Sequence, residues 1–256
     1  MNTTLDTFFN GRLFVFQPKQ GYRSSVDSLL LSYFASMGFN AFNCLDLGAG
    51  CGTIGLSLLL SKSVSSVIAV EIQPELANLS KLSAHKNDLD KQFLSVIQDI
   101  RFLKPDFSKH ELFDLIVMNP PFWPKSHRLP LNDQKKIACH ELFGQIPDWL
   151  KTANRFVSRR KGRVCIVYPA KRLDLLLQSV TLNKLHPTRL QMVHPNNLRD
   201  AELVLLEARP VSKGNLSILP PLFLKTSEGH DSQELNDIIS GAFSTEISKL
   251  FDKRFR

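Results

Sequence analysis

Residues 119–122, Asn-Pro-Pro-Phe, form the stretch of this sequence best suited to chemistry. They follow Leu115-Ile116-Val117-Met118, a short apolar run without alternation, as expected of a parallel strand buried on both faces. Pro120 and Pro121 lack N–H donors, so no central strand continues through them. Asn119, preceding a proline, is biased toward extended backbone. The chain therefore leaves the strand stiffly, holding the Asn119 amide and the Asn119 and Pro120 carbonyls near the strand's carboxyl end. In open α/β sheets that edge is where ligands bind. An acceptor-rich, rigid corner followed by the aromatic Phe122 suits a planar group that carries an NH2.

Such a corner has to be held by a sheet, and the flanking sequence predicts one. Cys44-Leu45-Asp46-Leu47 reads as a strand, and residues 48–55, Gly-Ala-Gly-Cys-Gly-Thr-Ile-Gly, as a turn opening into a helix over 54–61. Val67–Val70 is a second strand ending on Glu71, and Pro74 suits the first turn of a helix running to about Asp88. Leu94–Ile97 is a third strand, closing on Asp99. After strand four, residues 123–139 read as a polar, basic loop, followed by a helix over 141–158, a strand over 163–168 and a helix over about 171–183. Strands near 188–194 and 202–208 suggest a closing hairpin, and a helix starts near Gln233. Alternation of strands and helices over 43–183 means an α/β fold with a mostly parallel sheet and helices on both faces. Ahead of it, Asn10-Gly11 between aromatic runs predicts a type I′ hairpin over 7–17. A helix then begins at Ser25 or Asp27 and ends near Gly38. Residues 1–42 are thus expected as an N-terminal hairpin and helix belonging to the same domain as 43–256.

The 256 residues suffice for one well-buried core, and 43% apolar with 22% charged residues is ordinary globular composition. The net charge of +8 and pI near 9.4 favour a polyanionic partner such as nucleic acid. Cys44, Cys51, Cys139 and Cys165 are scattered without metal-like spacing, and His140, His186 and His194 supply none, so no metal and buried reduced thiols are expected. No signal peptide is apparent and no apolar run approaches the ~20 residues needed to span a bilayer. The expectation is a cytoplasmic protein with no membrane association.

The glycines can be read two ways. Gly50-x-Gly52-x-x-Gly55 fits a dinucleotide fingerprint, with the acid Glu71 downstream for a nicotinamide ribose. The other reading is Asp46-Leu-Gly48-Ala-Gly50-Cys-Gly52, the pattern of class I S-adenosylmethionine methyltransferases. That cofactor has no pyrophosphate for a helix N-terminus. Its loop needs close backbone approach, which glycine permits, and an acid near a cation. A third reading is a glycine turn that merely packs helix on strand. The second reading gives each strand end a role. Glu71 accepts from both ribose hydroxyls, Asp99 takes the adenine amino group, and Ile72 and Ile100 pack on the adenine faces. The first leaves Asp46, Asp99 and residues 119–122 without a task.

Asn-Pro-Pro-Phe/Tyr after strand four resembles the motif of amino-methyltransferases. With residues 14–31, the Asp46 loop, Glu71, Asp99 and residues 113–122 in this order, the chain resembles bacterial tRNA1(Val) (adenine(37)-N6)-methyltransferases over most of 8–210. Cys139-His140-Glu141 falls where that family has an Arg-His-Glu-like stretch. The resemblance implies a Rossmann-like class I methyltransferase fold with a seven-stranded sheet, S-adenosylmethionine as cofactor and tRNA as partner. It also implies a helix after residues 21–27 that covers the cofactor, with Ser25 and Asp27 near its methionine part. Asn119, Pro120, Pro121 and Phe122 would be the catalytic residues, with Asn119 also near the cofactor. The expected methyl acceptor is adenine N6 in RNA, with rRNA guanine N2, DNA adenine and protein glutamine as alternatives and a non-catalytic RNA-binding protein of the same fold as the non-enzyme reading, and the chain is expected to act as a monomer. Phe122 stands where tyrosine is frequent, and Trp123 where guanine enzymes usually have histidine. Trp123, Lys125 and Arg128 beside the motif, and Arg159, Arg160 and Lys161 in a run with Arg155 and Arg163, are the expected RNA contacts.

Overall fold

The computed structural model describes residues 2–20, 23–38, 40–104, 112–121, 144–211 and 214–241. A sheet of seven long strands forms the centre. In chain order these are β3 (Ala41–Leu47), β4 (Val64–Glu71), β5 (Phe93–Ile97), β6 (Leu115–Met118), β7 (Arg163–Pro169), β8 (His186–His194) and β9 (Leu203–Arg209). Across the sheet they lie in the order β8-β9-β7-β6-β3-β4-β5, all parallel except β9. Two short strands, β10 (Ser217–Ile218) and β11 (Leu222–Phe223), add to the outer side of β8 and cover that edge. The expected α/β, Rossmann-like class I architecture is present, extended by these two additions.

Alternation along the strands divides the core into two apolar layers. Cys44, Val67, Ala69, Leu115, Val117, Cys165 and Val167 face α1 (Val26–Ser36), α2 (Thr53–Leu60) and α3 (Pro74–Lys86). Leu45, Leu47, Ile68, Val70, Ile116 and Met118 face α4 (Ile146–Phe156) and α5 (Leu173–Leu182). α6 (Gln233–Ser240) contributes Ile238 to the first layer. The parallel strands are buried on both faces, which is why β6 reads as an unbroken apolar run.

The N-terminal hairpin pairs β1 (Thr3–Phe8) with β2 (Leu13–Pro18), and Phe9, Leu13 and Val15 enter the first layer. Its connection spans residues 9–12, with Phe9, Asn10 and Gly11 at positive φ, so the two-residue type I′ turn expected at Asn10-Gly11 is replaced by a longer loop. Burial of Phe9 takes that residue out of the strand (1% exposed). The hairpin is fastened to α3: the Phe14 N–H donates to Asn87 Oδ1 (2.9 Å) and the Phe16 N–H to Ser83 Oγ (2.9 Å). α4 starts later than sequence suggests, because Pro147 sits in its first turn.

Candidate active site at the carboxyl edge

Strand register assembles the site. Leu47 pairs with both Met118 and Val70, so the next residues, Asn119, Gly48 and Glu71, form one row across the ends of β6, β3 and β4. Alternation then directs Asp46, Glu71 and Asn119 to the same face, the one covered by α1–α3. Glu71 pairs with Ile97, which brings Asp99 to the neighbouring strand end.

Asn119 is half-buried and carries no hydrogen bond among the described residues, so its amide oxygen is available. Pro120 is buried and Pro121 half-buried, which fixes the corner. Phe122, Trp123, Lys125 and Arg128 lie outside the described residues, as do residues 139–141.

Glu71 is nearly enclosed and held entirely by backbone donors. Its Oε2 accepts from the Gly50 N–H (2.8 Å) and its Oε1 from the Gln73 N–H (2.9 Å). Burial pushes its carboxyl up, against those donors and the Ile72 N–H. Each oxygen keeps a lone pair for another donor. Asp46 is fully buried: Oδ2 accepts from the Gly55 N–H (3.0 Å) in the first turn of α2, while Oδ1 has no partner. Burial first, opposed by Gly55 and reinforced by the charge of Glu71, pushes its carboxyl up to about 7.

The glycines divide by task. Gly48 (φ +68°) and Gly50 (φ +55°) sit in the left-handed region at the row itself. A Cβ on Gly48 would stand 2.4 Å from the Trp149 ring. At Gly52 (φ +83°) it would strike Ser80 and Phe93 at 2.9 and 3.0 Å. Gly52 therefore serves packing of the loop on α3 and β5 and Gly48 packing against Trp149 of α4, while Gly50 presents its N–H to Glu71.

Asp99 lies beyond β5 rather than on it, capping a single 3-10 turn over Ile100–Phe102. Arg101 grips it, with Nε 3.0 Å from Oδ1 and Nη2 2.5 Å from Oδ2. Burial would raise the Asp99 carboxyl, but the Arg101 side chain and N–H hold it below its usual value. Ile72 is half-buried at the edge, whereas Ile100 is core (6% exposed), its carbonyl accepting from Thr152 Oγ1 at 3.1 Å. Ser24 ties the entry of α1 to α2 through Thr53 Oγ1 (2.5 Å). Ser25 caps α1 without a side-chain bond, and burial raises the Asp27 carboxyl, with the charge of Glu202 adding to it and Ser25 opposing it.

Three features, two at this edge and one at the opposite edge, are not visible in sequence. Arg101 beside Asp99 looks there like any surface charge. Trp149 lies over Gly48 from α4, one helical turn from Thr152. Arg163, counted with the basic run, is buried (5% exposed) and paired with Glu207 at 2.8 Å. Arg159, Arg160 and Lys161 stand in the turn entering β7, at the amino edge of the sheet, so the structure does not bring them to Asn119.

An acid with free lone pairs at a glycine-lined edge suits a ribose diol, and a buried, unpartnered carboxylate oxygen suits nearby positive charge. The residues present therefore fit S-adenosylmethionine. Among the described residues, no group of three His, Cys, Asp or Glu could hold a metal ion, and no helix is long and apolar enough to cross a membrane. Cys44, Cys51 and Cys165 are buried free thiols.

The family model described as methyltransferase small domain matches residues 23–156, more than half of the chain. A tRNA1(Val) (adenine(37)-N6)-methyltransferase of Porphyromonas gingivalis is 30% identical over 214 residues, covering 80% of this chain and 81% of its own. A protein of the same name from a Flavobacteriaceae bacterium is 25% identical over 211 residues, covering 81% and 85%. Among solved structures, a predicted O-methyltransferase of Agrobacterium tumefaciens matches with TM-score 0.65 at 19% identity, over 84% of this chain and 96% of its own. The tRNA m1G37 methyltransferase of M. jannaschii matches at 0.54 and 14%, over 81% and 54%. These two likenesses carry the fold.

Proposed function

The chain belongs to the methyltransferase small domain family and to its tRNA1(Val) (adenine(37)-N6)-methyltransferase members, and from that premise we propose that it methylates the exocyclic N6 of an adenine in tRNA, adenine 37 of a valine tRNA by the relatives' names. The observation that carries this reading is the row Asn119–Gly48–Glu71, which sets a free amide and a rigid proline corner beside a cofactor-shaped edge. Gly48, Gly50, Glu71 and Ile72 would hold the cofactor, with Asp99 at the adenine end and Asp46 answering positive charge from beneath the loop. S-adenosylmethionine held there would supply an electrophilic sulfonium methyl for the amino nitrogen, leaving S-adenosylhomocysteine and one amino proton, which water would take up.

An aryl amine is a poor nucleophile because its lone pair is delocalised. The Asn119 Oδ1 and the Pro120 carbonyl accept its two hydrogens and favour a pyramidal nitrogen with the lone pair aimed at the methyl. Both bonds strengthen as positive charge builds on nitrogen, so they act on the transition state rather than on binding. Pro120 and Pro121 keep the acceptors from relaxing, and Phe122 would stack on the flipped base. Lys125, Arg128 and Trp123 would meet the nucleotides flanking it. The site row lies within one chain, so a monomer could carry it, and a tRNA substrate supports a cytoplasmic setting.

The test is methyl transfer to unmodified tRNA transcripts, read by nucleoside mass spectrometry. N6-methyladenosine is expected, with Asn119→Ala lowering turnover about 10²–10³-fold while S-adenosylhomocysteine affinity stays within a few-fold. N2-methylguanosine, or methylated protein amide, would overturn the adenine reading.

A further inference from the structure

The carboxyl edge holds the buried acids Asp46 and Glu71, with the exposed cations Lys171 and Arg199 in its outer turns. The opposite, amino edge carries exposed cations in the turns that enter the strands: Lys62 before β4, Arg159 and Arg160 before β7, and Lys184 before β8. Arg159 bonds Asn154 Oδ1 (2.9 Å), and Lys62, Arg160 and Lys184 have no ion-pair partner among the described residues. Asp114, the acid between them, is enclosed and already paired with Lys161 at 2.8 Å. At the far end of this edge, before β5, Asp90 is taken by His85 and Asp88 is exposed. Two large apolar side chains stand exposed along the same edge, Phe42 (62%) and Leu182 (73%).

The backbone of the two lysines is informative. Lys62 and Lys184 both have φ +57° at the C-terminal ends of α2 and α5. In each, the following N–H reaches back into the helix, Ser63 to the Leu58 carbonyl (3.0 Å) and Leu185 to the Val180 carbonyl (3.1 Å). Glycine is the least strained residue at such a position. A lysine there complements the helix dipole and places a cation on this edge at a conformational cost; after α3 the same position is held by Asp88 (φ +58°), so the cations lie on the stretch from β4 to β8.

We propose that this amino edge docks the sugar–phosphate backbone of the RNA substrate at a segment distant from the reacting base, an inference that rests on the RNA reading above. Lys62 and Lys184 are five strand spacings apart, about 24 Å at ~4.8 Å each. A strand advancing ~3.4 Å per nucleotide covers that span in about seven nucleotides. The seven residues of β3 make the sheet only about 23 Å tall. A folded RNA engaged at Asn119 therefore has backbone within reach of the opposite edge. Lysine and arginine meet the phosphates, and Phe42 and Leu182 offer apolar contact to riboses or bases.

The backbone also provides the test. Lys62→Gly with Lys184→Gly removes both cations at positions where glycine relaxes the chain, so the variant is expected to fold with an unchanged or higher thermal midpoint. Its affinity for full-length tRNA transcript should fall. The slope of log affinity against log salt should drop by about 0.7–0.9 for each phosphate no longer neutralised. Binding of S-adenosylhomocysteine, and methylation of a stem–loop too short to span the sheet, should match the unaltered protein. A double variant with wild-type affinity and salt slope on full-length tRNA overturns this surface while leaving the site reading intact. An unaltered protein that binds no RNA overturns both.

Discussion

Two buried acid clusters lie on the same face of the sheet, at its opposite edges, and they are built on opposite principles. At the carboxyl edge Asp46 and Glu71 are held by backbone N–H groups alone, and burial raises both carboxyls. At the amino edge Glu207 is just as enclosed, yet Arg163 (2.8 Å), Arg189 (3.0 Å) and Arg209 (3.1 Å) surround it. Burial would raise the Glu207 carboxyl, but the arginines outweigh it and hold it at about 2. Arg189 also donates to the Phe34 carbonyl (2.8 Å) and lies over the Phe34 ring, fastening the C-terminal end of α1. Helix α1 thus spans from a buried acid paired with arginines to buried acids met by backbone donors alone. Buried acids without a cation mark a candidate ligand site, and ion-paired ones a brace.

The largest expected effect comes from breaking the brace. Glu207→Gln leaves clustered arginines without their counter-charge and should cost about 3–5 kcal/mol of stability by denaturant titration. The sign with pH follows from the depressed carboxyl. The contribution of Glu207 is complete above its unfolded value of about 4.3 and is lost as pH falls toward 2. A loss below 1 kcal/mol would make the two clusters energetically alike and remove the contrast.

The frame and the reacting corner are legible in sequence because both depend on local rules. Two-sided burial makes β3, β4, β6 and β7 short apolar runs, and Pro120-Pro121 stops β6 where sequence says it must stop. The three acids at strand ends can be seen for the same reason. What each acid bonds to cannot, since Gly50, Gln73 and Gly55 reach Glu71 and Asp46 only once the loop has folded. Arg163 shows the limit most clearly. Its neighbours in sequence are exposed cations, but strand alternation turns it inward, and its partner lies 44 residues away on β9. The hairpin turn differs from expectation for a related reason: the Asn10-Gly11 signal is local, and the burial of Phe9 that overrides it is not.

A smaller effect is expected from Asp46→Asn. Its native carboxyl keeps a proton to about pH 7, whereas the unfolded chain releases it near 4. Between those values the native state binds more protons, so stability falls as pH rises through that window. Asparagine accepts from the Gly55 N–H without ionising, so the fall should flatten and stability at pH 8 should rise by about 2–3 kcal/mol, measured by thermal melts across pH. If the carboxylate serves a bound cation, the same variant should bind S-adenosylhomocysteine nearly as well as the unaltered protein but discriminate less in favour of the charged S-adenosylmethionine. A variant less stable at pH 8 would mean that the Asp46 charge is satisfied after all, and that the site edge resembles the brace.

The smallest expected effect tests whether Glu71 is poised for a ligand or merely ties the loop to its strand. Both roles use the same oxygens, so removal of the side chain confounds them. Glu71→Gln separates them: the amide oxygen can still accept one backbone N–H, while the charge that strengthens bonds to a diol is gone. One charge-assisted bond is worth about 1.5–3 kcal/mol, and part of that survives in the neutral acceptor. S-adenosylhomocysteine affinity should therefore fall about tenfold by calorimetry, whereas affinity for its 2′-deoxyribose analogue, which has already lost a hydroxyl, should fall by less. A purely structural Glu71 would weaken both ligands equally, because a displaced loop does not distinguish a diol from a single hydroxyl. The difference between the two losses, rather than either alone, tells whether the cation-free acids of the carboxyl edge are there to bind a cofactor.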